Sequence, residues 1–157
     1  MNPPLPTLLV SGFEPFGGDS VNPSELVAAA LHGSVLEAAG RRARVVAQRL
    51  PCAFAEARGR LDSAIAECRP VAVLSLGRAA GRAGLRPARV ANTLMDARIA
   101  DNHGAQPRDQ PVVPGGPAAY FTSLPAKAMV AAMRAAGAPA ALSLSAGSFV
   151  CNELFYG

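Results

Sequence analysis

The chain has 157 residues, half of them apolar and 17% charged. One domain fits that length, and that balance excludes a disordered polymer. The formal charge of +4 comes from scattered arginines, Lys127 being the sole lysine, so no basic stripe, zinc knuckle or aromatic RNA-binding signature points to nucleic acid.

No apolar run approaches the length of a membrane span, so no membrane association is expected. The opening "MNPPLPTLLVSGF" has neither a basic leader nor a cleavage site ahead of its apolar run, and it is not read as a signal peptide. Cys52, Cys68 and Cys151 are odd in number and widely spaced. They suit neither a disulfide framework nor a Cys-x-x-Cys metal or redox pair, and a reducing cytoplasm is the expected setting.

In chain order, "TLLVSGF" (7–13) predicts a short buried strand feeding the loop "EPFGGDSV", made irregular by Pro15, Gly17 and Gly18. "NPSELVAAALHG" predicts a helix with Asn22 as N-cap, Pro23 at the first position, Glu25 completing a capping box and Gly33 ending it. A second strand is predicted over 43–50. A helix over 53–68 follows, with Phe54, Ala57, Leu61, Ile65 and Cys68 on one stripe. A third strand is predicted over 70–77, apolar without alternation, as in a parallel sheet covered on both faces. Residues 78–123 are rich in Gly, Pro, Asp and Asn and predict mostly loop, with one short strand near 89–94. A helix over 125–137, a buried strand over 140–147 and a helix opening in "SFVCNELFY" complete the order. Strand and helix alternate, which gives the α/β class with a largely parallel sheet in a single domain.

Chemistry concentrates at three places. Cys151 follows a strand and a glycine turn and falls in the first turn of a helix, where free N–H groups and the helix dipole favour a thiolate and can hold an oxyanion. A lowered thiol pKa is expected there; a buried core cysteine is the competing reading. Cys52 and Cys68 are read as core residues. "GFEPFGG" (12–18) is neither a P-loop nor a dinucleotide-binding fingerprint. Its two phenylalanines fit aromatic walls for a small flat ligand and fit core anchors equally well. "DARIADNHGAQP" (96–107) gathers Asp96, Arg98, Asp101, Asn102 and His103, where Arg98 could neutralise developing charge and His103 could act as a base, against the plainer reading of a solvated loop. His32 is read as a cation in the last turn of its helix.

Four blocks in order, "SGFEPFGGDSVNPS", "DARIADNHGAQP", "GPAAYFTSLPAKAMV" and "SAGSFVCNELFYG", resemble the pyroglutamyl peptidase I (pyrrolidone carboxyl peptidase) family of cysteine peptidases over essentially the whole chain. The resemblance implies a three-layer α/β/α sandwich, usually a homotetramer. It implies removal of N-terminal pyroglutamate (5-oxoproline) from peptides by a Cys-His-Glu triad, with no cofactor and no metal. Matched residue by residue, it makes Cys151 the nucleophile and sets Arg98 near the catalytic centre. Phe13 and Phe16 wall the lactam ring, Asn22 lies near the ligand, and Phe149 and Val150 complete the pocket. The chemistry is consistent: a pyroglutamyl group has no charged amine, so its pocket needs apolar walls and a few polar groups rather than a carboxylate.

Three positions depart from the family pattern. Ala88 stands where the family carries its catalytic glutamate, in Glu-Arg-Val-Ala, and Arg78 replaces a glutamine near the substrate. The family's catalytic histidine follows the nucleophile on a segment beyond Gly157, with a further strand and helix, so the domain over 1–157 is read as truncated relative to the family; neither His32 nor His103 corresponds to that histidine. Two functions are therefore expected from the sequence: a peptidase working through a Cys151 thioester, or an impaired or inactive member that keeps ligand binding or assembly.

Overall fold

A computed structural model of the chain describes residues 4–79 and 81–157. The first three residues of the N-terminal segment and Ala80 of the stretch after Arg78 lie outside the described residues. The chain forms two compact units: Met1–Arg78 together with Asp101–Ala105, and Ala79–Ala100 together with Gln106–Gly157.

The first unit is built on a four-stranded sheet. Its elements in chain order are β1 (Thr7–Phe13), α1 (Pro23–Leu31), β2 (Val35–Ala38), β3 (Arg41–Leu50), α2 (Glu56–Cys68) and β4 (Ala72–Ser75). The strand order is β2-β3-β1-β4. β1 runs parallel to β3, with Val10 opposite Ala47, and parallel to β4, with Val10 opposite Leu74; only edge strand β2 is antiparallel. β1 therefore sits in the middle, buried from Leu9 onwards. Right-handed crossovers from β1 to β3 and from β3 back past β1 to β4 place α1 and α2 on opposite faces. Leu8 and Val10 face α1, packing with Ala28, Leu31 and Val45. Leu9, Ser11 and Phe13 alternate to the other face, which is left for the buried Ala57 and Leu61 of α2.

Helix α1 begins as expected at Asn22, whose side chain accepts from the Ser24 N–H, and Gly33 beyond its end takes φ of 78°. The capping box does not form, because the Glu25 carboxylate pairs with Arg49. His32 is the C-cap residue of α1, and its Nδ1 accepts the Ala47 N–H at 3.0 Å.

In the second unit, β5 (Val90–Asn92) pairs antiparallel with β8 (Ala119–Phe121), and β6 (Leu94–Met95) with β7 (Gln110–Pro111). Helices α3 (Ala126–Ala135) and α4 (Val150–Tyr156) complete it. The strand expected over 140–147 is not continuous. It makes two isolated parallel bridges, Leu85 with Ala140 and Ala88 with Ser143. The cause is Pro87: its carbonyl accepts from Ser143, but it has no N–H to give the bond that would fuse the two bridges. Nor is the segment wholly buried, since Leu144 is 69% exposed.

Candidate active site

The expected catalytic residues fall in the second unit. Phe149 is the N-cap of α4 in extended conformation, and Val150 and Cys151 are its first two helical residues. The turn before it is fixed from two sides. Asp96 and Ser148 exchange bonds, the Asp96 N–H donating to the Ser148 carbonyl (3.0 Å) and Ser148 Oγ donating to the Asp96 carbonyl (2.9 Å). Asn92 Nδ2 donates to the Gly147 carbonyl at 3.1 Å, and Gly147 takes φ of 86°, which glycine adopts without strain.

On the other side of the thiol, Asn152 is completely buried and satisfied by main chain. Its Oδ1 accepts the Asn92 N–H (3.0 Å), and its Nδ2 donates to the carbonyls of Asn92 (2.8 Å) and Leu94 (3.1 Å). The end of α4 is held by Tyr156, whose hydroxyl donates to the Pro117 carbonyl at 2.6 Å and whose ring packs on Tyr120. A helix of two turns has little stability of its own; these anchors hold Cys151 in place. Asn152 is a residue that the sequence pattern does not single out. The available signal was an amide in a helix whose neighbours Val150 and Leu154 pack in the core.

The ionisation of Cys151 corrects the sequence expectation. The residue keeps part of its surface exposed, yet burial pushes its thiol up to about 11, against a smaller opposing pull from its own backbone N–H. Desolvation of the charged form outweighs the position at a helix start. At pH 7 a thiol with that value is ionised in roughly one molecule in ten thousand. The N–H groups of Val150 and Cys151, in the first turn, have no intrahelical acceptor and remain suited to an oxyanion. Val150 is 0% exposed and Phe149 half-buried. Arg98 lies two residues after Asp96; it is exposed, and among the described residues its side chain makes no ion pair.

Of the expected pocket residues, Phe13, Phe16 and Asn22 fall in the first unit, and Phe149 and Val150 in the second. Phe13 closes β1 and is buried at 2% exposure, while Phe16 is half-buried in the loop that follows. Asn22, also at 2%, spends its amide inside the protein: Oδ1 accepts from Ser24 N–H and Oγ, and Nδ2 donates to the Glu14 carbonyl. Arg78 pairs with Asp19, beyond the two glycines of the same loop. Asp101 binds the N–H groups of Phe54 (2.8 Å), His103 (2.9 Å) and Ala105 (2.8 Å). Burial works to raise its pKa, but those three bonds and the nearby His103 together hold the carboxyl below the usual range. His103 Nδ1 lies 3.1 Å from Glu56, so both histidines of the chain have local partners in this unit.

One unit is built on a mostly parallel α/β sheet, and the other sets a cysteine in the first turn of a helix: an α/β protein with a thiol as its candidate nucleophile. The chain belongs to the pyroglutamyl peptidase family, whose model matches residues 7–157. It is 50% identical over 153 residues to a pyrrolidone-carboxylate peptidase of Escherichia fergusonii, covering 98% of this chain and 70% of that protein. It is 51% identical over 150 residues to one of an Enterobacter species, covering 96% and 68%. Among solved structures, pyroglutamyl peptidase I of Bacillus amyloliquefaciens superposes with a TM-score of 0.91 at 42% identity, over 96% of this chain and 71% of that one. A mutant pyrrolidone carboxyl peptidase from the hyperthermophile Pyrococcus furiosus superposes with a TM-score of 0.89 at 39% identity, over 96% and 70%. The α/β class expected from the sequence is that of these structures.

Proposed function

We propose that this chain is a cysteine peptidase that removes N-terminal pyroglutamate from peptides, with Cys151 as its nucleophile. The observation that carries the reading is the placement of Cys151 in the first turn of α4, held between the Asp96–Ser148 and Asn92–Asn152 bonds. In the reaction, Sγ attacks the carbonyl of the pyroglutamyl residue and its proton passes to the departing amine. The thioester so formed is hydrolysed by water, releasing pyroglutamate and the free thiol. The Val150 and Cys151 N–H groups stabilise the tetrahedral oxyanion. The residues that the family resemblance assigns to the ring are Phe13, Phe16 and Asn22 in the first unit and Phe149 and Val150 in the second, and it assigns Arg98 to offset developing negative charge. The whole of 1–157 acts as one domain of this family, as a homo-oligomer in a reducing cytoplasm, which the odd number and wide spacing of its cysteines suit.

A second reading has two specific observations in its favour. Ala88 offers no carboxylate where the family pattern has one, and a thiol at about 11 needs a proton acceptor to become a nucleophile at neutral pH. Loss of a general base typically costs about 10²–10⁴-fold. On this reading the chain binds the pyroglutamyl group without turning it over. Acid-quenched mixtures of the chain with a pyroglutamyl peptide, digested and analysed by mass spectrometry, separate the two. The peptidase reading expects a pyroglutamyl adduct on the Cys151 peptide and free pyroglutamate. Neither product, alongside measurable binding of 5-oxoproline amide, would establish the binding-only reading.

A further inference from the structure

The loop between Phe13 and Asn22 contains Pro15, Gly17 and Gly18, the last two with φ of 65° and 86°. Such a composition leaves a chain many conformations unless other groups hold it. Here the hold is concentrated on Glu14, between the two phenylalanines. Its N–H donates to the Leu50 carbonyl at 2.9 Å, and its own carbonyl accepts from Asn22 Nδ2 at 3.1 Å. Its Oε1 accepts from the Cys52 N–H (3.1 Å) and from Asn102 Nδ2 (2.8 Å), and its Oε2 lies 3.4 Å from Arg49 Nη1. The same Asn102 amide donates to the Pro15 carbonyl at 2.9 Å.

Asn102 is itself fixed. Its N–H donates to the Cys52 carbonyl at 3.0 Å, and the residue before it, Asp101, gathers three backbone N–H groups into a closed turn. All of these groups belong to the first unit, to which the chain returns for Asp101–Ala105.

We propose that Asn102 is a positioning residue that sets the loop after Phe13, which carries Phe16, through a clamp on the Glu14 carboxylate and the Pro15 carbonyl. The proposal rests on the reading of that loop as the wall for the pyroglutamyl ring. A single amide holds a side chain on one side of Pro15 and a carbonyl just before Phe16, so it fixes both the direction of the loop and the height of the second aromatic. Asn102 is exposed, and its removal takes nothing from the core.

The test compares wild type, Asn102→Ala and Asn102→Asp. It reads calorimetric affinity for 5-oxo-L-proline amide and hydrogen exchange at the Phe16–Asp19 amides. Asn102→Ala is expected to weaken binding roughly tenfold, the worth of a charge-assisted bond, and to speed exchange in the loop, with an unfolding midpoint near wild type. Asn102→Asp sets two carboxylates together and binds more weakly still. Wild-type affinity in Asn102→Ala, or Asn102→Asp binding as tightly as wild type, overturns the clamp. If wild type itself does not bind the amide, the pyroglutamyl reading of the loop fails. The exchange data still decide the clamp: faster exchange in Asn102→Ala upholds it, and unchanged exchange overturns it.

Discussion

At Cys151 two influences oppose each other. The first turn of α4 offers N–H groups and a positive dipole end, which favour a thiolate. Burial disfavours the charged form and dominates, giving a thiol at about 11. Peptide-resolved iodoacetamide labelling therefore should show Cys151 slower than a model thiol at pH 7.5, with a rate that climbs until about pH 11. A midpoint near pH 8 or below would contradict this. The sign for stability follows. The folded pKa lies above the unfolded value, so this group's contribution is intact below about pH 9 and is lost as pH rises towards 11. Asp101 works in the opposite direction: its folded pKa is depressed, so its contribution is present above about pH 4 and is lost as pH falls through the folded value. Asp101→Asn should lower the unfolding midpoint at pH 7 and leave little difference from wild type in strong acid. Asn152 carries a third expectation. Asn152→Ala strands the Asn92 N–H and the Leu94 carbonyl, and should cost about 1–3 kcal/mol in denaturant unfolding, with faster exchange across α4.

At the scale of elements, close approach decides the fit of β1 to α1. A Cβ on Gly12 would overlap the carbonyl of Ser24, a main-chain atom in the first turn of α1 that cannot swing aside. Gly12→Ala should destabilise by roughly 1–3 kcal/mol, read from the urea midpoint; a change within experimental error would mean the helix is free to shift. The helix α1 was legible because Asn22, Pro23 and Gly33 are local signals acting on local geometry. The central strand was legible because it is buried on both faces. The edge strand β2 was not: all four of its residues are exposed, and its turn uses Ala39 and Gly40, both with positive φ, where Asn-Gly would have announced a hairpin. The 140–147 segment reads as a strand in its own residues; what breaks it is Pro87, some fifty residues earlier. The position of Cys151 was legible from a glycine turn and an apolar run. Its ionisation was not, because desolvation depends on neighbours that sequence order does not give.

At the scale of the molecule, family membership and mechanism make different demands. The match over residues 7–157 and the superposition at a TM-score of 0.91 require that the fold be shared. Turnover requires, besides, a proton acceptor for a thiol that is protonated at neutral pH, and Ala88 cannot orient one. These demands converge on a single assay: initial rates of hydrolysis of a pyroglutamyl-linked chromogenic amide between pH 7 and 10, for the 157-residue chain and its Cys151→Ser variant. The account predicts slow hydrolysis that rises with pH and disappears in Cys151→Ser. Equal rates for the two proteins at every pH would contradict it.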